Sequence, residues 1–205
     1  MLAKKKLVTL WIIAVFFAVL ATGIFLTSRS NPKFVAAYKI GDQGPAGGII
    51  FYVDDSSKFE NFDYLESAPS LCEGQEKLWA LSPEDLASAV KVVSSWEADS
   101  IGSGQESTNA MLNVSQDFYD PKTASGFAHA LECGGKSDWF VPSKSELDLM
   151  YQNLALKEIG EFTDGYYWSS SYYLAGQAWN RPFSEGVSFD GNKDGNFAVR
   201  PIRAF

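Results

Sequence analysis

Two stretches near the C-terminus hold residues whose types and spacing could do chemistry. Asp190-Gly191-Asn192-Lys193-Asp194-Gly195 alternates oxygen ligands like a calcium loop. Asp190, Asn192, Asp194 and Gly195 match the first, third, fifth and sixth positions of an EF-hand. The twelfth should be a bidentate Glu and is Pro201. Asp, Gly and Asn are also natural turn residues, so the segment reads as a hairpin turn, with a looser calcium site as the alternative. Trp179-Asn180-Arg181 offers a second kind of chemistry. It lies among eight aromatics in 24 residues: Tyr166, Tyr167, Trp168, Tyr172, Tyr173, Trp179, Phe183 and Phe189. Sugar and peptide sites use aromatic faces for stacking, with Asn, Asp and Arg at the rim. Trp179, Asn180 and Arg181, with Asp190, Asn192, Asp194 and Asn196, are therefore the candidate ligand-binding set. At least half of the rings should fill the core, Trp168 among them.

Other chemistry is scarce. Histidine occurs once, at His129, and cysteine twice, at Cys72 and Cys133. That excludes a His/Cys zinc site within one chain. Any Ser-His-Asp or Cys-His mechanism would have to run through His129, which stands in a mainly apolar stretch and reads as a packed residue. No Gly-x-Ser-x-Gly nucleophile motif occurs. Paired carboxylates could hydrolyse glycosides, but among 25 acids composition cannot single out a pair, and no catalytic residue is assigned. Gly44 to Gly48 lacks the Gly-Lys-Ser/Thr ending of a phosphate loop and precedes a strand rather than a helix.

The elements that must position these residues begin after a distinct leader. Residues 1–6 carry Lys4, Lys5 and Lys6, and residues 7–26 run without a charge. As a helix that run is about 30 Å long, the thickness of a hydrocarbon core. It reads as a single transmembrane anchor with its N-terminus in the cytoplasm and residues 34–205 facing the periplasm or exterior. A cleaved signal ending near Ala21-Thr22-Gly23, giving a secreted protein, is the alternative. Residues 27–33 are a linker. With Lys4, Lys5, Lys6 and Arg29 set aside, 13 bases face 25 acids, a net charge of −12. Nucleic acid is excluded as the main partner. Export would make a Cys72–Cys133 disulfide the default, with two buried thiols as the alternative.

Within 34–205 the pattern is α+β. Ile49-Ile50-Phe51-Tyr52-Val53 reads as a buried strand. Ser82, Pro83 and Asp85 cap a helix whose inner face is Leu86, Ala89, Val90 and Val93. Residues 107–118 and 121–133 read as two more helices. Trp139-Phe140-Val141 is a short strand, and Ser143-Lys144-Ser145-Glu146 is a capping box that opens another helix. Strands follow at 166–171, 177–183, 186–189 and 196–205.

Several blocks together suggest a family. They are 38–52 (Tyr38-Lys39-Ile40-Gly41 through Tyr52), 101–109, 137–151 around Trp139-Phe140-Val141-Pro142-Ser143, 166–171, and the closing Val199-Arg200-Pro201-Ile202-Arg203. The ordered set resembles the C-terminal domain family of bacterial collagen-like adhesins, along about 34–205. The resemblance implies a C-type-lectin-like, formylglycine-enzyme-like mixed fold with C-terminal antiparallel strands, outside the cytoplasm, acting in attachment. Sulfated glycans are the ligands of the adhesin type. This chain lacks the collagen-like repeat and is acidic. Trp179-Asn180-Arg181 is similar to the Trp-Asn-Asp motif of calcium-dependent lectins, with Arg181 where a metal-binding carboxylate belongs. The expected function is a membrane-anchored binding module for a glycan or a matrix or surface ligand, without a required cofactor. The alternatives are an envelope-assembly protein that binds a protein partner and a carboxylate-dependent glycan-acting enzyme.

Overall fold

The computed structural model describes residues 37–82, 84–85, 87–89, 96–173, 177–184, 189–192 and 195–205. The chain divides into two units, Met1–Phe34, which lies outside the described residues, and Val35–Phe205. The anchor read at 7–26 therefore lies outside them. Among the described residues no helix is long and apolar enough to cross a membrane.

The second unit is a mixed α+β domain with two small sheets. One holds β1 (Ile49–Val53), β2 (Tyr64–Ser67) and β8 (Ile202–Ala204), in the order β1-β2-β8. The other holds β3 (Gly74–Lys77), β4 (Tyr166–Tyr172), β5 (Gln177–Pro182), β6 (Phe189–Asn192) and β7 (Phe197–Val199), in the order β3-β7-β4-β5-β6. Among these strands β4 and β7 pair in parallel, and the other pairs are antiparallel. The helices are α1 (Gly104–Val114), α2 (Ala124–Ala130) and α3 (Lys144–Asn153). Residues 84–85 and 87–89 are also helical, and Ser82 Oγ accepts from the Asp85 amide at 3.1 Å, as the capped start predicts.

Both faces of β4 are buried, because strand alternation sends neighbours to opposite sides. Trp168 packs with Trp79, Met111, Phe118, Ala178 and Val199. Tyr167 packs with Leu147, Tyr151, Phe183, Ala198 and Ile202. The buried indoles are satisfied: Trp168 Nε1 donates to the Lys77 carbonyl at 2.7 Å, and Trp79 Nε1 to that of Ser169 at 2.9 Å. The capping box at Ser143 is complete, with the Ser143 amide donating to Glu146 Oε2 at 2.7 Å.

Several boundaries differ from the sequence reading. The segment 196–205 is two strands in two sheets. The break falls at Arg200-Pro201, where proline has no amide for the ladder and Arg200 turns inward. The helix read at 107–118 starts at Gly104, ends at Val114 and continues as a 3₁₀ turn, Gln116–Tyr119. The helix read at 121–133 is confined to α2, and Cys133 falls in a turn whose Gly134 and Gly135 have φ of 60° and 70°. Around Trp139-Phe140-Val141 only a Phe140–Ile202 bridge forms. Asp190-Gly191-Asn192 is not a turn but part of β6, paired with Trp179, Ala178 and Gln177; pairing with β5 overrides turn propensity. Of the strand read at 186–189, only Phe189 is described. His129 is exposed, edge-on to Tyr119 at 5.0 Å, rather than packed in the core.

The disulfide joins Cys72 to Cys133 across 61 positions, with Cα atoms 6.3 Å apart. Such a bridge persists in oxidising compartments, which points to an extracytoplasmic domain.

Candidate functional site

Four buried charged groups set the frame. Glu66 sits under the glycine-rich loop and accepts from the amides of Ala46 and Gly48 at 3.0 and 2.9 Å. That loop does bind an anion, and the anion is the chain's own. Arg203 bridges Glu66 and Asp138, and its hydrogen bonds hold the Asp138 carboxyl below the usual carboxylate range. Arg200, fully buried, donates through Nε to Glu73 at 2.8 Å and through Nη1 to the Gly160 carbonyl at 2.8 Å. Tyr167 donates to the same Glu73 carboxylate at 2.9 Å, and burial pushes its phenol up to about 12. Arg200 thus pins the 160–161 loop beside the five-stranded sheet.

The members of the sequence-predicted ligand set whose side chains are described, Trp179, Asn180, Arg181 and Asn196, do not come together on one surface. Trp179 is half-buried, with the Lys144 ammonium 3.8 Å from its ring centre and Tyr173 at 4.5 Å. Arg181 is 6% exposed, paired with Asp148 and stacked on Tyr151 at 4.2 Å. Lys144, Asp148 and Tyr151 follow helical spacing on one side of α3, which closes over this part of β5. Asn180 faces the opposite side of the sheet, opposite Trp168, 2% exposed and with neither amide atom hydrogen-bonded. Asp190 stands opposite Trp179 and Asn192 opposite Gln177 in the β5–β6 ladder. Asp194 lies outside the described residues, and of the calcium reading's residues only Asp190 and Asn192 are placed, by their backbone pairing. Among the described residues no group of three or more His, Cys, Asp or Glu is placed to hold a metal.

Asn196 leads elsewhere. It is exposed and lines an open cleft of ≈ 430 Å³ with Gln75, Glu76, Asp164, Tyr166 and Phe197. Tyr166 is 41% exposed and stacks on Phe197, with ring centres 5.2 Å apart and planes 29° apart. Phe197 in turn rests against Trp168 at 4.4 Å, so the exposed ring stands on the core. A bulge supplies the amide and carboxylate on the rim. Gly74 pairs with Val199 and Lys77 with Phe197, leaving Gln75 and Glu76 opposite the single residue Ala198. Glu76 takes the left-handed conformation, φ 52°, which costs about 1–2 kcal/mol in a non-glycine residue. An aromatic platform rimmed by amides and carboxylates can stack on a sugar or peptide plane and hydrogen-bond its edges.

Sequence reasoning found Asn196 and grouped Tyr166 with the other rings. It missed Gln75, Glu76, Thr163 and Asp164. Alternation along Tyr166-Tyr167-Trp168 could have separated Tyr167 from its neighbours. Nothing local marks the bulge at Gln75-Glu76, which exists only against β7. The chain matches no family model and no curated protein.

Proposed function

We propose that this protein is a membrane-anchored, extracytoplasmic binding module that recognises a glycan in adhesion, and that its contact surface is the Tyr166–Phe197 cleft. The observation that carries the reading is Tyr166 itself: a large exposed ring, backed by Phe197 and Trp168, beside Gln75, Asn196, Glu76 and Asp164. The resemblance to the adhesin C-terminal domain, with its C-type-lectin-like fold, supports it. The motif blocks fall on the capping box, on buried Trp168 and on the two paired arginines of the last strands. The charge argues against the sulfated ligands of the adhesin type, since Glu76 and Asp164 line the cleft and residues 31–205 carry net −12. Residues 7–26 would supply the anchor.

The test is a glycan array probed with the full chain in mild detergent. Neutral or amine-bearing glycans should be retained and sulfated ones excluded. Tyr166→Ala should weaken the retained binding by at least about tenfold, roughly 1.4 kcal/mol. Retention that is unchanged in Tyr166→Ala overturns the assignment to this cleft. Capture of an envelope protein with no glycan bound would favour the assembly role.

A further inference from the structure

The Tyr166 cleft does not end at Asp164. Thr163 and Asp164 also line a second cleft of ≈ 270 Å³, floored by Phe162 and Phe183 and rimmed by Glu158 and Glu161. Glu161 is shared in turn with a third, of ≈ 260 Å³, beside Ser70 and the Gly47-Gly48 backbone. The three clefts adjoin through these shared residues, with Ser70 Oγ donating to the Glu161 carboxylate at 2.5 Å where the second meets the third. Each of the two smaller ones falls below the roughly 300 Å³ at which small-molecule sites begin. A ligand that fills all three is a chain of repeating units.

The groove has rings in its floor and acids on its rim. Glu76, Asp164, Glu158 and Glu161 are exposed carboxylates along it. Among the described lining residues the cation is Arg200, and its charge is taken by Glu73 at 2.6 Å. Three of the four non-glycine residues with positive φ among the described residues are Glu76, Glu158 and Glu161, all on this groove. Glycine or asparagine would fit those backbone positions at lower cost, so the carboxylates stand there against local preference.

We propose that the groove binds an extended polysaccharide bearing free amines, an amino-sugar polymer, with its ring faces on Tyr166 and its ammonium groups on Glu76, Asp164, Glu158 and Glu161. This rests on the glycan reading of the Tyr166 cleft and adds length and charge to it. Planar amides from Gln75 and Asn196 suit the paired hydroxyls of a sugar, and each ammonium supplies three donors to the carboxylates. The exposed ring and amides favour a polysaccharide over a basic peptide.

The experiment uses the full chain in mild detergent and measures affinity for a chitosan oligosaccharide, for its fully N-acetylated counterpart, and for an oligolysine of matched length. Chitosan should bind at least about tenfold tighter than the acetylated oligomer. The preference should shrink as salt rises from about 0.01 to about 0.15 M. Glu158→Gln combined with Glu161→Gln should remove about tenfold from chitosan and leave the acetylated oligomer unchanged. Both positions are exposed and lie outside the Tyr166 cleft, and Glu158→Gln alone gives a second variant. Equal affinity for the two oligomers, both lost with Tyr166→Ala, would overturn the amine requirement and leave the cleft's function standing. No binding of either oligomer would overturn the amino-sugar proposal, while the glycan array decides the function of the Tyr166 cleft by itself. Oligolysine bound as tightly as chitosan, with the same dependence on Glu158 and Glu161, would show charge recognition alone and overturn the sugar class.

Discussion

The five-stranded sheet carries two aromatic regions built from the same residue types, and they have opposite fates. Around Trp179 and Arg181, α3 supplies Lys144, Asp148 and Tyr151, so the rings and the guanidinium find partners inside the protein. Around Tyr166 and Phe197 the cleft is lined, among the described residues, by strands and loops rather than by a helix. The partners there are exposed amides and carboxylates at the edge of a cleft. The lesson concerns what makes a binding residue. An aromatic beside an Arg signals a site only if its own fold leaves it unclaimed. Trp179 and Arg181 are claimed by α3, and the exposed face of Tyr166 is not.

The largest expected effect comes from the group that supports the open side. Arg200→Met leaves the Glu73 carboxylate buried, its side chain 4% exposed, and without its cation. Breaking a buried pair of this kind costs about 3–5 kcal/mol. Urea denaturation of the variant should show that loss. A cost under about 1 kcal/mol would mean that Arg200 does not hold the 160–161 loop. Arg181→Met should cost less, about 1–3 kcal/mol, because the Asp148 side chain is 29% exposed and reaches water once released. Its folded fraction should keep full affinity for whatever Tyr166 binds. Loss of binding with unchanged stability would reverse the roles of the two regions.

The division between a helical middle and a C-terminal β region was legible because it rests on local signals. Ser143 with Glu146 makes a capping box, and Ser82 with Asp85 a capped start, from residues three positions apart and without help from tertiary contacts. The disulfide followed from two cysteines and an expectation of export. The Arg200-Pro201 break was less legible. Proline hinted at it, but only the switch of β8 to the other sheet explains it. Asp190-Gly191-Asn192 has the composition of a turn, and the pairing that makes it β6 comes from β5. The open cleft was the least legible part. Gln75 and Glu76 gain their place from a bulge against a strand over 100 positions away, and Asn196 joins them only when β7 lies between β3 and β4.

A last test asks whether the closed region can be loosened while the open one stays intact. Glu146 caps α3 and is wholly buried. Its Oε1 accepts from the Gly102 amide at 2.8 Å and its Oε2 from that of Ser143. Burial raises its pKa to about 7, against the opposing pull of these amides. Its ordinary value is 4.5, so between 4.5 and about 7 the folded state holds more protons than the unfolded one. Stability from this group is therefore complete below the lower value and declines as pH rises through the upper one. Glu146→Gln removes the titration. It also turns an amide NH₂ toward one of the two backbone donors, which costs about 1–3 kcal/mol at all pH values. Thermal unfolding across this range should show the wild type losing stability toward neutrality and the variant starting lower with a flatter profile. Because Glu146 secures the helix over Trp179, the decline should come with greater quenching of Trp179. Stacking at Tyr166, which α3 does not cover, measured with an uncharged oligosaccharide, should hold constant over the same interval. If the two profiles are parallel, Glu146 does not titrate in this range and α3 is not loosened by it.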